Sequence, residues 1–160
     1  MTKKKIILTV IVVILIALVA FCLIYTRPQS LSSLLEDREI TGISALVVEA
    51  KISNGKPYYD NWELQGDFVT NQTLDDLASL MKSSQYRTSL RTLLHPDSYD
   101  LGSNSRTVHL GVMLDDGTHV TIIYSGSAVR FSGDSYINAR TDPSVCRALA
   151  EYIMEYGVKA

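Results

Sequence analysis

The chain has 160 residues, two cysteines and a formal net charge of −2, which suits one folded domain and excludes a framework of disulfides. All 17 acidic residues but only 11 of the 15 Lys and Arg residues follow residue 28, so that part of the chain carries a net charge of −6. Because this charge repels phosphate, we expect no nucleic-acid partner.

Residues 6–25 form an uninterrupted stretch without charge, and nearly all of them are aliphatic. As a helix this stretch is about 30 Å long, which matches the hydrocarbon core of a bilayer. Lys3, Lys4 and Lys5 precede it and only Arg27 follows closely, a distribution that favours a cytoplasmic N-terminus. We therefore predict a basic cytoplasmic tail at 1–5, a single transmembrane helix at 6–25 in contact with membrane lipid, and an extracytoplasmic remainder at the cell membrane.

Two other interpretations of this stretch stay open. A cleaved signal peptide has a shorter apolar region and a small-x-small cleavage site, whereas cleavage after Ala20 would place Leu18 at the third position back. A lipoprotein would be acylated at Cys22, but a large residue, Phe21, precedes that cysteine. A retained membrane helix therefore agrees best with the sequence.

The first elements after the membrane segment are a juxtamembrane linker at 26–39 and a hairpin. Within the linker, Leu31, Leu34 and Leu35 have helical spacing behind Ser30, a candidate N-cap. Asn54-Gly55 lies between two runs rich in β-forming residues and is typical of a two-residue hairpin turn. This turn predicts that Val47 lies opposite Trp62 and Ala45 opposite Leu64.

Two helices are predicted next. Thr73 and Asp76 resemble a capping box, and a helical stripe follows them, formed by Leu74, Leu77, Leu80 and Met81. The same spacing continues after Ser83-Ser84 and predicts a second helix that ends at His95-Pro96 and carries Tyr86, Leu90, Leu93 and Leu94.

The C-terminal half alternates apolar and polar residues and then returns to a helical pattern. A three-residue loop with Gly117 in the left-handed region sets Val112 opposite Val120. Short strands follow, and the last helix has Asp142 as N-cap, Pro143 at its first position and Gly157 beyond its end. The predicted fold class is α+β for residues 40–160: an antiparallel sheet built from a β-hairpin, a helix, a β-meander and a C-terminal helix, with helices on one face.

No spacing in the sequence indicates catalysis or a metal. In the predicted register His109 and His119 lie about 13 Å apart, too far to share one zinc ion, and His95 stands alone. Asp115-Asp116-Gly117 is explained by turn chemistry, and Cys146 lies beside an apolar helical stripe. We therefore expect no catalytic residue, no metal ligand and no cofactor.

The aromatic cluster Tyr58, Tyr59 and Trp62 is the candidate binding site. Aromatic side chains with one polar end are enriched in surfaces that bind proteins, peptides and sugars. The alternative is that Trp62 and one of the tyrosines pack on the sheet.

The order of a helix around residues 77–80, Tyr86, an Asp116-Gly117 hairpin and a strand with Tyr136 before a last helix resembles a group of small exported domains. Such domains of unknown function occur in Gram-positive bacteria behind a lipoprotein signal or a single span. The resemblance covers roughly residues 40–156 and implies no catalytic residues. This chain departs from the lipoprotein members of the group because it lacks a good lipobox.

These features predict a membrane-anchored extracytoplasmic module of the bacterial cell envelope. Its expected role is to bind a protein, a peptide or a cell-wall component, or to act as an accessory protein. The alternatives are an envelope hydrolase with a site assembled from distant residues, or a subunit of a membrane complex.

Overall fold

The computed structural model describes residues 3–88, 106–133 and 136–160 and has an α+β fold with one large antiparallel sheet. A short 3-10 turn at Gly66–Phe68 follows the third strand. The helices are α1 (Lys3–Tyr25), α2 (Leu31–Leu34), α3 (Asn71–Lys82) and α4 (Pro143–Tyr156). The strands are β1 (Pro28–Gln29), β2 (Ile40–Ser53), β3 (Lys56–Leu64), β4 (Tyr86–Thr88), β5 (Arg106–Leu114), β6 (His119–Ser125), β7 (Ala128–Ser132), β8 (Tyr136–Arg140) and β9 (Val158–Lys159).

The N-terminal helix α1 is long and apolar enough to cross a membrane. Its apolar part, Lys5–Tyr25, has 21 residues, and no part of this stretch is buried against the rest of the protein. At about 1.5 Å per residue it spans roughly 32 Å. Only two residues, Thr26 and Arg27, separate α1 from β1, so the helix joins the sheet directly at one strand.

The strand order across the sheet is β1-β4-β8-β7-β6-β5-β2-β3-β9, and every neighbouring pair is antiparallel. The strand joined to α1 therefore forms one edge, while β3 and β9 form the other. At about 4.8 Å per strand, seven steps separate β1 from β3 by roughly 34 Å along the sheet.

Turn residues set the register of both hairpins. Asn54 and Gly55 have φ angles of 51° and 75°, and Val47 pairs with Trp62 as the sequence predicts. Gly117 has a φ of 81°, and Val112 pairs with Val120, again as predicted. Left-handed backbone is the conformation for which Asn and Gly are favoured, and this preference explains why these positions turn the chain.

The core lies between one face of the sheet and the helices. Tyr152 of α4 donates to Asp76 of α3 at 2.9 Å, which connects these two helices. Leu31 and Leu35, in the stretch 26–39 for which the sequence suggests a linker, are also buried in this core. Fully buried members include Val47, Leu64, Leu77, Met81, Leu110, Ile122, Leu149 and Ile153.

Two details of the sequence prediction around α3 are wrong. The helix begins at Asn71, because Thr70 is the N-cap and forms a capping box with Thr73, in which the backbone N–H of each residue donates to the side-chain oxygen of the other. Asp76 is not part of this capping box. Tyr86 starts strand β4 and not a second helix, since its hydroxyl reaches back to the carbonyl of Met81 in the core. The other residues of that predicted helix, with His95, lie outside the described residues.

Candidate functional site

The hairpin of β2 and β3 extends beyond the rest of the sheet. Along β2, pairing with β5 ends at Glu49, opposite Arg106, whereas pairing with β3 continues to Ser53. Residues 50–59 therefore form a two-stranded projection, which we name the hairpin arm, with no third strand among the described residues. At about 3.3 Å per residue, four residues extend the arm by roughly 13 Å.

Strand alternation divides the three aromatic residues of the candidate binding site between the two faces of the sheet. Tyr58 and Trp62 share the face that carries the core, and Tyr59 lies on the opposite face. Tyr59 is 64% exposed and Tyr58 43% exposed, whereas Trp62 is half-buried and packs against the core. The structure therefore does not bring the three residues into one continuous aromatic patch.

Two lysines lie against the ring of Trp62. The Nζ atom of Lys51 is 5.7 Å from the ring centroid, and that of Lys159 is 5.4 Å from it. Both distances are within the range of a cation–π interaction. Because these ammonium groups occupy the ring surface, Trp62 is a poor platform for stacking a sugar.

The same lysines belong to an ion-pair cluster formed by Glu49, Lys51, Asp60, Arg106 and Lys159. Lys51 Nζ lies 2.8 Å from Glu49 Oε2 and 2.7 Å from Asp60 Oδ2. Lys159 Nζ lies 2.8 Å from Asp60 Oδ1, and Arg106 binds Glu49. Hydrogen bonds from Lys51 and Arg106 lower the pKa of Glu49, and hydrogen bonds from Lys159 and Lys51 lower the pKa of Asp60.

This cluster joins four strands at the base of the arm. Glu49 and Lys51 are on β2, Asp60 on β3 and Arg106 on β5, and Lys159 comes from β9. Charged residues at these positions replace the apolar residues that occupy the same face nearer the helices. The cluster therefore closes the end of the core and fixes the base of the arm. Both of its carboxylates are paired with lysine or arginine side chains. This pairing is explained by a structural role of the cluster.

Two buried polar atoms, Asn61 Oδ1 beside this cluster and Arg106 Nε within it, have no hydrogen-bond partner within the described part of the chain. Asn61 lies on β3 next to Asp60, where the C-terminal residue Ala160 donates its N–H to the Asn61 carbonyl at 2.9 Å.

Exposed apolar side chains concentrate at the same edge of the sheet, on both of its faces. Outside α1, seven large hydrophobic residues of the described chain are exposed, and six of them lie on the arm, just after β3, or where the C-terminal segment joins β3. The seventh, Met113, lies on β5. The six are Ile52 at 80%, Tyr59, Phe68 at 56%, Tyr156, Val158 and Tyr58.

The histidines and acidic residues do not form a metal site within the described residues, where no group of three or more His, Cys, Asp or Glu side chains could hold an ion. His109 pairs with Ile123 and His119 with Met113, four residues apart along β5. Burial lowers the pKa of His109. Asp116 accepts from the N–H of Thr118 at 2.8 Å within its turn and binds Arg38.

Two small clefts flank the chain segment after α2. One, of about 120 Å³, lies between Leu34, Phe131 and Ile137, and the other, of about 200 Å³, between Leu31, Ile40 and Lys82. Sites for small molecules usually enclose about 300 to 1,000 Å³. Neither cleft is large enough for a ligand of that class.

No family model, curated protein or solved structure matches this chain. The resemblance to small exported domains of Gram-positive bacteria therefore stays a prediction.

Proposed function

We propose that this chain is a membrane-anchored, extracytoplasmic module of the cell envelope that binds a partner protein through the hairpin arm and the adjoining edge at β3. The observation that carries the proposal is the concentration of six of the seven exposed large apolar side chains at this edge. Exposed apolar side chains gathered in one region are typical of interaction surfaces, whereas scattered ones need no explanation.

The anchor supports the location. No residue of the apolar stretch of helix α1 is buried against the described domain, as expected for a helix surrounded by lipid. Lys3, Lys4 and Lys5 precede it, so the N-terminus stays in the cytoplasm and the domain faces outward. The arm lies at the sheet edge opposite β1, and this arrangement holds it away from the point of membrane attachment.

The chemistry of the arm supports a protein partner more than a wall sugar or a substrate. Ile52, Tyr58 and Tyr59 supply apolar and aromatic contact area, and residues 50–59 contain two lysines and no acid. Tyrosine gives large contact area at small entropic cost. Trp62, the residue best suited to stack on a sugar, is instead covered by Lys51 and Lys159.

Photo-crosslinking in intact membranes tests this proposal. A photoreactive phenylalanine analogue replaces Tyr59 in the full chain, and the matched control carries it at Thr121, an exposed position on β6 in the middle of the sheet. We expect a defined protein adduct from position 59, no adduct from position 121, and loss of the adduct when Ile52→Asp is added. Equal labelling at the two positions, or an adduct unaffected by Ile52→Asp, would contradict the proposal.

A further inference from the structure

We infer that two exposed arginines, Arg87 and Arg140, dock the β1 edge of the sheet onto the anionic phospholipid headgroups around the end of helix α1. This inference rests on the membrane anchor in the proposed function and assigns a second surface, at the edge opposite the arm. It is carried by the register of three strands, by the pairing state of the arginines and by their distance from the apolar helix.

Arg87 and Arg140 lie directly opposite each other on neighbouring strands. Pro28 of β1 pairs with Arg87 of β4, and Arg87 pairs with Arg140 of β8, so the three residues form one row across this edge. Tyr86 and Ala139, which precede the two arginines along their strands, are buried in the core. Because side chains alternate along a strand, Arg87 and Arg140 both lie on the face of the sheet that is turned away from the helices. We name these two residues the arginine pair.

The arginine pair lacks a counter-charge. Like charges directly across neighbouring strands are destabilising, and Cβ atoms in such positions are only about 4.5–5.5 Å apart. Arg87 and Arg140 are both exposed, and neither forms an ion pair among the residues that the structure describes. The acid nearest to Arg140 along the chain, Asp142, is the N-cap of α4 and accepts from the N–H of Ser144. The pair can therefore accept an anion from outside the chain.

The arginine pair lies close to the place where the chain leaves the apolar helix. Helix α1 ends at Tyr25, and Pro28 follows three residues later, a connection of at most about 10 Å. Two strand spacings of about 4.8 Å then separate Pro28 from Arg140. The headgroup region adds about 5–7 Å on each side of the hydrocarbon core. A tilt of the domain about this short connection therefore brings the arginine pair onto the headgroups.

The chemistry of arginine fits the phosphate groups of these lipids. A planar guanidinium donates two parallel hydrogen bonds to a phosphate, and arginine is for this reason preferred where phosphate is bound. Arg27, between α1 and β1, is a third exposed cation in the same region. Each basic residue near an anionic membrane surface strengthens binding about fivefold. The anchor makes phospholipid phosphates the anions that lie nearest to these side chains.

The acidic charge of the rest of the domain makes the contact directional. An anionic surface repels this domain in orientations that present its carboxylates, and attracts it where the arginines face the lipid. Docking therefore sets the sheet on its β1 edge. The arm, at the opposite edge roughly 34 Å away, then projects from the membrane toward its partner.

Fluorescence quenching by labelled lipid tests the contact in the full chain. In a background with Cys22→Ala and Cys146→Ala, a fluorophore is attached to Gln85→Cys, an exposed position two residues before Arg87. The comparison protein carries it at Ser53→Cys, beside the turn of the arm. Both are reconstituted into vesicles of phosphatidylcholine, with or without phosphatidylglycerol, that contain a lipid with a nitroxide on its headgroup. We expect quenching at position 85 that increases with phosphatidylglycerol and decreases with added salt, and little quenching at position 53.

Substitutions of the arginine pair separate charge from other effects. Arg140→Gln should lower the ratio of docked to undocked domain about fivefold. Arg87→Gln with Arg140→Gln should abolish the effect of phosphatidylglycerol, whereas lysine at both positions should retain most of it. The matched control Lys56→Gln removes one exposed charge from the arm and should leave the quenching at position 85 unchanged.

Unfolding in neutral detergent separates docking from a structural role. Without lipid, Arg140→Gln relieves the repulsion from Arg87 and should not lower the free energy of unfolding, and a clear loss of stability would overturn the inference. Equal quenching at position 85 in both kinds of vesicle, or quenching unaffected by the double glutamine variant, would also overturn it. In that case a crosslink from position 59 would leave the proposed function standing. If the full chain does not float with the vesicles, the anchor is wrong and the proposed function fails with it.

Discussion

The hydroxyl oxygens of Tyr86 and Tyr124 lie 2.9 Å apart inside the core, where both side chains are fully buried. The Tyr86 hydroxyl donates its only hydrogen to the carbonyl of Met81, at 2.8 Å, so the hydrogen between the two rings belongs to Tyr124. Burial raises the pKa of Tyr86 to about 12. This chain of hydrogen bonds links the end of α3 to β4 and β6.

The direction of these bonds predicts unequal costs for two similar substitutions. Tyr86→Phe leaves both the Met81 carbonyl and the Tyr124 hydroxyl without this partner and should lower the free energy of unfolding by about 1–3 kcal/mol. Tyr124→Phe removes one donor and leaves the bond to Met81 intact, so it should cost about 1 kcal/mol. Urea unfolding followed by the fluorescence of Trp62, the single tryptophan, measures both values, and the reverse order would contradict the assigned donors.

Gly157 gives a second prediction, because it lies where the end of α4 meets β3. A Cβ atom there would collide with the carbonyl oxygens of Ile153 and Glu63, both backbone atoms that cannot move independently. Gly157→Ala should destabilise the protein by about 1–3 kcal/mol, a typical cost of overpacking.

Gly133 is the matched control for this substitution. A Cβ on Gly133 would meet Val120 Cγ2 at 3.5 Å, an ordinary contact. Gly133→Ala should therefore change the free energy of unfolding by less than about 0.5 kcal/mol, as surface substitutions usually do. If the two substitutions lowered the free energy of unfolding equally, the close backbone contacts at Gly157 would not be the reason why that position requires glycine.

The parts of the fold that the sequence predicts well are those fixed by local chemistry. Asn54-Gly55 and Gly117 adopt left-handed backbone at low cost, and each therefore sets the register of its hairpin. Asp142 and Pro143 likewise mark the start of α4, where Asp142 accepts from the N–H of Ser144 at 2.8 Å.

Strand β4, for which the sequence predicts a helix, depends on distant contacts. The spacing from Tyr86 onward is compatible with a helix, but Tyr86 is held in β4 by pairing with β1 and β8 and by the bond to Met81. A window of neighbouring residues contains none of this information. Tertiary contacts therefore override the local pattern here.

The candidate site is predictable in part. Once Val47 is set opposite Trp62, the same register sets Glu49 opposite Asp60, and alternation separates Tyr58 from Tyr59. The contributions of Arg106 and Lys159 require the strand order, because β5 and β9 reach the hairpin only through the sheet. The sequence therefore predicts that Glu49 and Asp60 lie opposite each other, but it does not predict that Arg106 and Lys159 join them.

The ion-pair cluster predicts how stability depends on pH. Lysine and arginine partners lower the folded-state pKa of Glu49 from 4.5 and that of Asp60 from 3.8. A depressed folded-state pKa stabilises the protein above the unfolded-state pKa, and the contribution is lost as the pH falls. Stability should therefore decrease below about pH 4.5 as these two carboxylates become protonated.

The variant Glu49→Gln with Asp60→Asn isolates this contribution. The double variant should be less stable than the wild type at pH 7, and the difference should shrink as the pH falls toward 3, which urea unfolding at each pH would measure. The control is Asp75→Asn with Glu151→Gln, which removes the same charge at two exposed positions on the helices. It should have the same pH dependence of stability as the wild type. A difference that stays constant from pH 7 to 3 would contradict the depressed pKa values.

Helix α1 gives the last prediction, which concerns attachment to the membrane. Val12→Lys with Leu15→Lys places two charges near the centre of the apolar stretch, where each costs about 2.5–3.5 kcal/mol on insertion scales. The wild type should stay in the membrane pellet after washing at alkaline pH, and the double variant should be released. Thr121→Lys with Gln65→Lys adds the same charge at exposed positions outside α1 and should stay in the pellet. Lysine is costly in the hydrocarbon core, so release of the double variant alone would indicate that α1 lies in the bilayer. Release of the wild type under the same wash would mean that α1 does not anchor the chain.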